Sequence, residues 1–230
     1  MKLLAFDTST ERMSVAVRAG ARQWLADGPA GAQASATLIP TIRALLGEAG
    51  LALAQLDAIV FGRGPGSFTG LRTACAVAQG LAFGAGVSVL PLDTLLALAE
   101  DARQAHACTQ VLALLDARMD QVYAAAWSWS AEAGWSSHGA TVVCAPEALT
   151  LPAGAPAPWV LAGNAFAVHG ARLPAPLQAL PRLAAMPTAE ALLRLAPAAL
   201  ASGGALPPEQ ALPLYVRDKV ALTTAERMAP

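Results

Sequence analysis

An apolar strand that ends in an aspartate, a short polar turn and a second strand occur twice in this chain, and this repeat constrains its fold most. Leu3 to Phe6 leads into Asp7 and a polar turn ending at Arg12, after which Met13 to Val17 alternates as a strand does. The run from Val111 to Leu115 leads into Asp116 in the same way, and Val122 to Trp127 echoes the partner strand. Separation of the units by about 110 residues implies duplication and two related halves. The division falls at 1–104 and 105–230, with the tail expected to pack back on the first half.

Strands and helices alternate between the two units, which predicts an α/β fold. A third strand is expected over Arg22 to Ala26, before a Gly/Pro-rich loop from Gly28 to Gly31. Leu38, Ile39, Ile42, Leu45 and Leu46 recur at helical spacing; Pro40 implies a late start or a kink, and Gly47 and Gly50 mark the end. A strand at Ala58 to Phe61, a helix to about Phe83, a strand at Val87 to Leu90 and a helix from Asp93 to Arg103 complete the first half. The second half adds a strand at Thr141 to Cys144, a Pro/Ala-rich loop through Pro158 and a strand from Trp159 to Asn164. Its last helix is capped by Thr188 and ends near Pro197 or Gly203. Prolines make this half irregular.

Between the Ala58 strand and the next helix stands Gly62-Arg63-Gly64-Pro65-Gly66-Ser67-Phe68-Thr69-Gly70-Leu71-Arg72. Glycines permit positive φ and close backbone approach, and Ser67 or Thr69 can cap the helix. Such a turn is either an anion cradle at a helix N-terminus or a tight connection that binds nothing. A P-loop is absent, since five residues separate Gly64 from Gly70 and no lysine follows; Ser67 and Thr69 break a dinucleotide fingerprint. Pro65 breaks a nucleophile elbow centred on Ser67.

Taken with Ala78-Gln79-Gly80-Leu81-Ala82, the opening Leu3 to Thr10, Leu115-Asp116-Ala117-Arg118-Met119, Val122-Tyr123 and Pro213-Leu214-Tyr215-Val216-Arg217, this stretch resembles the bacterial TsaB (YeaZ) family. The resemblance implies a duplicated actin-like, Hsp70-like ATPase fold with ribonuclease H-like halves. It also implies a non-catalytic partner in making N6-threonylcarbamoyladenosine at position 37 of tRNA. Expected partners are the catalytic relative TsaD, a second copy of the chain and the accessory ATPase TsaE; tRNA is the pathway substrate, mainly contacted elsewhere.

In active members of the wider fold the aspartate of the first hairpin holds Mg²⁺ and backbone amides grip phosphate. That makes Asp7, Thr8, Ser9, Gly64, Gly66, Ser67 and Thr69 the candidates for a nucleotide or phosphate. Neither Asp7-Thr8-Ser9-Thr10 nor Asp116-Ala117-Arg118 has the glycine expected in that loop, and the simpler reading is that both aspartates hydrogen-bond their own turns. ATP or ADP with Mg²⁺ is accordingly expected only at the complex with TsaD. That relative carries a histidine pair as metal ligands where this chain reads Gln33-Ala34-Ser35-Ala36-Thr37. The pair cannot be built here, and Ala34 replaces a histidine found in many TsaB relatives.

Composition excludes other classes. With 15 Lys plus Arg against 16 Asp plus Glu, scattered singly, no basic footprint for nucleic acid stands out. Cys75, Cys108 and Cys144 form no C-x-x-C pair, and His106, His138 and His169 lack metal-ligand spacing, so no zinc or iron is expected. Although 55% of residues are hydrophobic, much of that is alanine, and neither a membrane span nor a signal peptide is read; a cytoplasmic protein is expected.

Three functions follow for test: a TsaB-type partner subunit, an independent actin-superfamily ATPase or phosphotransferase, and a peptidase, which the missing nucleophile and metal ligands disfavour. The helix after the glycine stretch directs attention to a surface. Leu71, Ala74, Cys75, Ala78, Leu81 and Ala82 form one apolar face, yet the other carries Thr73, Ala76, Val77, Gly80 and Phe83, with only a narrow polar stripe of Arg72 and Gln79. Helix surfaces of that kind are covered on both sides. Resemblance to the TsaB family implies what covers it, since in that family the first two helices pack against the same pair of a second subunit or of TsaD. Leu38, Ile42, Arg72, Thr73, Ala76, Val77, Gly80 and Phe83 are accordingly expected at an interface where a homodimer competes with the TsaD heterodimer.

Overall fold

The computed structural model describes residues 1–30, 34–154 and 158–217; Gly31, Gln33 and positions 155–157 of the Pro/Ala-rich loop, all named above, lie outside them. In order, the first half comprises β1 (Lys2–Asp7), β2 (Arg12–Ala19), β3 (Arg22–Pro29), α1 (Ala34–Ala49), β4 (Ala58–Gly64), α2 (Phe68–Ala85), β5 (Ser88–Asp93) and α3 (Thr94–His106). The second has β6 (Gln110–Arg118), β7 (Gln121–Ser130), β8 (Gly134–Ser137), β9 (Val142–Cys144), β10 (Val160–Gly163), α4 (Phe166–His169), α5 (Ala175–Gln178), β11 (Arg182–Leu183) and α6 (Ala189–Ala201).

Strand for strand, the two sheets repeat one plan. In the first, ordered β3-β2-β1-β4-β5, β1 runs antiparallel to β2 and parallel to β4, and β4 is parallel to β5. Order β8-β7-β6-β10-β11 in the second reproduces this, β6 being antiparallel to β7 and parallel to β10. This is the duplicated actin-like architecture with ribonuclease H-like halves. Each β1- and β6-type strand is central and buried on both faces, which explains its unbroken apolar run.

Helices α1 and α2 lie together on one face of the first sheet, with Leu38, Ile42, Ala74, Cys75 and Ala78 packed against Phe6, Ile59 and Phe61. On the opposite face sits α6, whose Leu192, Leu193 and Ala196 meet Leu3, Val60 and Leu90, so the chain returns to the first half after finishing the second sheet. Helix α3 carries Leu95, Leu98 and Ala102 onto the second sheet. The other face of that sheet is covered by Trp159, Leu173 and Leu177, from irregular chain and the four-residue helices α4 and α5. Prolines at 146, 152, 174, 176, 181 and 187 interrupt this region, where long helices cannot form.

Local differences from the sequence reading have identifiable causes. Pro40 neither delays nor breaks α1; it sits exposed on the outer side, as does Ala36, whose carbonyl loses a helical partner where water can reach it. Of the two ends read for α6, the one at Gly203 is observed: the helix runs past Pro197 and stops at Ser202, before Gly203 at φ 79°. Strand β4 continues through the first glycines, because Gly62 and Gly64 still pair with Leu92 and Asp93 of β5 around an irregular register.

Candidate functional site

Between the two halves lies a cleft of about 720 Å³, walled by Ser9 to Glu11 of the first hairpin turn and Asp116 to Met119 of the second. Gly66, Ser67, Phe68 and Leu71 line it from the glycine stretch, Asn164 from the end of β10, and Leu214 to Arg217 from the tail. The duplication therefore brings together four segments that the sequence singled out.

Asp7 is not presented to this cleft. Only 1% exposed, its carboxylate accepts hydrogen bonds from the Ser9 amide at 2.8 Å and the Ser9 hydroxyl at 2.6 Å, with the Thr94 hydroxyl more distant. Gly62 covers it so tightly that a Cβ there would fall 1.8 Å from Oδ2. Desolvation raises the Asp7 pKa from 3.8 to about 6, against the lowering by Ser9 and Thr94.

Thr8 and Ser9 are buried as well, and they anchor the glycine stretch. The Thr8 hydroxyl donates to the Gly70 carbonyl at 2.8 Å, while the Ser67 amide donates to the Ser9 carbonyl at 2.7 Å. A Cβ on Gly70 would meet the Thr8 oxygen at 1.9 Å, and one on Gly66 the Ser9 oxygen at 2.4 Å. Gly64, at φ 122°, donates its amide to the Thr94 hydroxyl and leaves room for the Leu214 carbonyl. Close approach of protein to protein thus consumes the glycines. Ser67 stands at the helix N-cap without a side-chain capping bond; its amide donates to Ser9, its carbonyl accepts from Leu71, and the residue is exposed. Thr69 is exposed, and its carbonyl accepts from Thr73 one turn on.

Asp116, the counterpart of Asp7, lines the cleft but is engaged: its Oδ1 accepts from the Arg118 amide at 2.9 Å and stands 3.1 Å from His169 Nε2, while Oδ2 faces Arg118 at 3.2 Å. Both aspartates do bond their own turns, and Asp116 also carries partners from outside its turn. A nucleotide held through Mg²⁺ does not fit these residues: the Asp7 carboxylate is sealed away and the amides of Gly64 and Ser67 are already bound. Among the described residues no group of three or more His, Cys, Asp or Glu side chains is placed to hold a metal ion. Among them, too, no helix is long and apolar enough to cross a membrane.

A second surface lies on the outer side of α2. Arg72, Ala76 and Gly80 are exposed, Thr73 and Val77 half-buried, and the Phe83 ring is 80% exposed. Nothing lies within 4 Å of a Cβ built on Gly80, so another backbone could approach there. Leu38 and Ile42, expected at this surface, are fully buried against the sheet; both belong to the inward stripe of α1, and Ile39, one position from Leu38, is what that helix exposes.

The tail was expected against the first half, but sequence reasoning missed which residues it links and that it reaches the second half as well. Tyr215 accepts a hydrogen bond from Arg72 and stacks near Phe68, and Arg217 reaches the turn between β6 and β7. The signal available was limited to the quoted tail and LDARM segments, with nothing local to say that they meet.

A family model described as TsaD: tRNA N6-adenosine threonylcarbamoyltransferase matches residues 29–223. Over 241 aligned residues the chain is 32% identical to the tRNA threonylcarbamoyladenosine biosynthesis protein TsaB of Escherichia coli (strain K12), covering 96% of each. It is 45% identical over 123 residues to the protein of the same name from Haemophilus influenzae, a match spanning 54% of this chain and 52% of that one. The structure of YeaZ from Pseudomonas aeruginosa superposes with a TM-score of 0.86 at 41% identity, covering 93% of this chain and 99% of that one. Matched from end to end by one relative and superposed over nearly its whole length on another, the chain belongs to the TsaB (YeaZ) family.

Proposed function

We propose that this chain is a partner subunit in forming N6-threonylcarbamoyladenosine in tRNA, and that it acts by docking a TsaD subunit, which performs the chemistry. The observation that carries the reading is the outer face of α2, where small residues and an exposed Phe83 replace the charged side chains that a solvent-facing helix normally shows. The outer side of α1, with Ala36, Ile39, Pro40 and Ala44 exposed, extends it. The same surface serves a homodimer in the absence of TsaD, so the two assemblies exclude each other. Support from relatives is the TsaB name of the full-length match and the TsaD description of the matching family model. Nucleotide and TsaE enter at the assembled complex.

Reconstitution with TsaD, TsaE, tRNA and the threonylcarbamoyl adenylate donor, omitting one component at a time, tests the proposal. Modified tRNA is expected only when this chain and TsaD are both present, and neither alone should yield it. Undiminished product without this chain, or product from this chain without TsaD, would overturn the reading. The competing reading, an ATPase or phosphotransferase acting alone, draws on the size of the cleft. Calorimetric titration of the isolated chain with MgATP separates the two, since an independent enzyme must bind its own substrate.

A further inference from the structure

The chain after α6 does not simply end against the first half. The Ala211 carbonyl accepts from Cys75 Sγ at 3.1 Å and Gln79 Nε2 at 2.8 Å, both on α2. Further on, the Leu214 amide donates to the Arg63 carbonyl at 2.7 Å, and the Tyr215 hydroxyl accepts from Arg72 Nε at 2.9 Å. The Tyr215 ring lies 5.5 Å from that of Phe68, over which the Arg72 guanidinium is stacked at 3.8 Å. Two residues later the chain has crossed to the second half. There Arg217 Nη2 donates to the Ala117 carbonyl at 3.0 Å and to Gln121 Oε1 at 2.7 Å, and Nη1 stands 3.3 Å from Met119 Sδ. Leu214, Tyr215, Val216 and Arg217 all line the cleft.

What Arg217 grips is a strained piece of backbone. Arg118, Met119 and Asp120, none of them glycine, have φ of 58°, 52° and 57°. A single left-handed residue outside glycine is uncommon, and a run of three persists only where surrounding contacts over-determine it. Those contacts include the Asp116 carboxylate on the Arg118 amide from inside the turn, Arg172 on the exposed Asp120 carboxylate at 3.1 Å, and Arg217 on the backbone from outside it. The clamp is incomplete, for Arg217 Nε is buried without a hydrogen-bond partner among the described residues. A buried donor left unpaired raises the energy of the closed arrangement and so narrows the gap to an open one.

We propose that residues 211–217 form a strap that holds the interdomain cleft shut, and that Arg217 is its latch, fixing the left-handed β6–β7 turn as the cleft's second wall. Release of the latch relaxes the turn and exposes the cleft floor, while both sheets keep their packing. The strap acts within the single chain and requires no partner subunit.

Labelling of the full-length chain tests this directly. Ala117 is 5% exposed and lines the cleft, so Ala117→Cys places a thiol beneath the strap. Labelling by a maleimide, located by mass spectrometry against the native cysteines, should rise about tenfold or more when Arg217→Ala is added, together with amide exchange at 118–121, while exchange in β1, β4 and α2 stays unchanged. In a Met119→Gly background, where the turn is less strained, the exchange effect of Arg217→Ala should shrink to about threefold or less. Unchanged labelling and exchange in Arg217→Ala would overturn the proposal. So would a uniform rise throughout the chain, which makes Arg217 an ordinary stabilising contact. If Arg217→Ala fails to fold, Arg217→Lys decides the matter in the same assay, because it keeps the charge but loses the two-pronged grip.

Discussion

Asp7 is ionised at a cost, since burial strips water from its carboxyl and leaves Ser9 and Thr94 as donors. Its pKa is raised to about 6 in the folded chain, so the folded state binds this proton more tightly than the unfolded one. Its stabilising contribution is therefore complete below about pH 4 and lost as pH rises through about 6. The difference from the ordinary 3.8 corresponds to about 3 kcal/mol. From urea melts of the chain and of Asp7→Asn between about pH 4 and pH 7, the wild type should lose unfolding free energy relative to the variant by up to roughly that amount in total. Parallel pH profiles would show that Asp7 titrates normally. The glycines beside it make a second, steric prediction. Gly62→Ala and Gly70→Ala place a methyl 1.8 Å from Asp7 Oδ2 and 1.9 Å from the Thr8 carbonyl, and each should cost about 3 kcal/mol or more. Gly80→Ala, on open surface, should be neutral or slightly stabilising by thermal melting. From sequence these glycines were legible as permissive, but which of them yield to close approach depends on Asp7 and Thr8 of the first hairpin, far earlier in the chain.

At the scale of the element, α2 shows what periodicity can and cannot give. Its inward stripe was readable because one packed face repeats every turn: Leu71, Ala74, Cys75, Ala78 and Ala82 are buried, Leu81 partly so. Helix α1 was read less well, since Leu38 and Ile42 belong to its core stripe while Ile39 faces out. Spacing identifies a stripe but does not say which of two surfaces receives it, and assigning α1 to an interface blurred the two. The contrast is measurable. Leu38→Ala should lower unfolding free energy by about 2–5 kcal/mol with association of the surviving folded chain unaltered. Phe83→Ser should leave stability within about 0.5 kcal/mol yet weaken self-association, as read by chemical denaturation and sedimentation of the same samples. Reversal of these two results would place the helix faces the wrong way round.

Across the whole molecule, duplication was visible in the sequence because β1 and β6 are central strands followed by hairpin turns, and such strands carry the strongest local pattern. The return of α6 to the first sheet, the crossing of the tail and the meeting of four segments at one cleft were not visible. They are set by contacts between residues more than a hundred positions apart, as between Arg72 and Tyr215 or Ser14 and Ala189, and no local periodicity encodes these. The proposed docking role rests on the open face of α2, and the account stands or falls on that face. The most direct measurement combines sedimentation, melting and TsaD-dependent tRNA modification for Ala76→Glu, which places an unpaired charge on the exposed side of α2. A cost of about 2–5 kcal/mol in association, roughly thirtyfold or more in affinity, is expected from such a charge. The predicted result is a monomer that melts like the wild type and no longer supports modification by TsaD; an Ala76→Glu chain that still self-associates and activates TsaD normally would contradict the account.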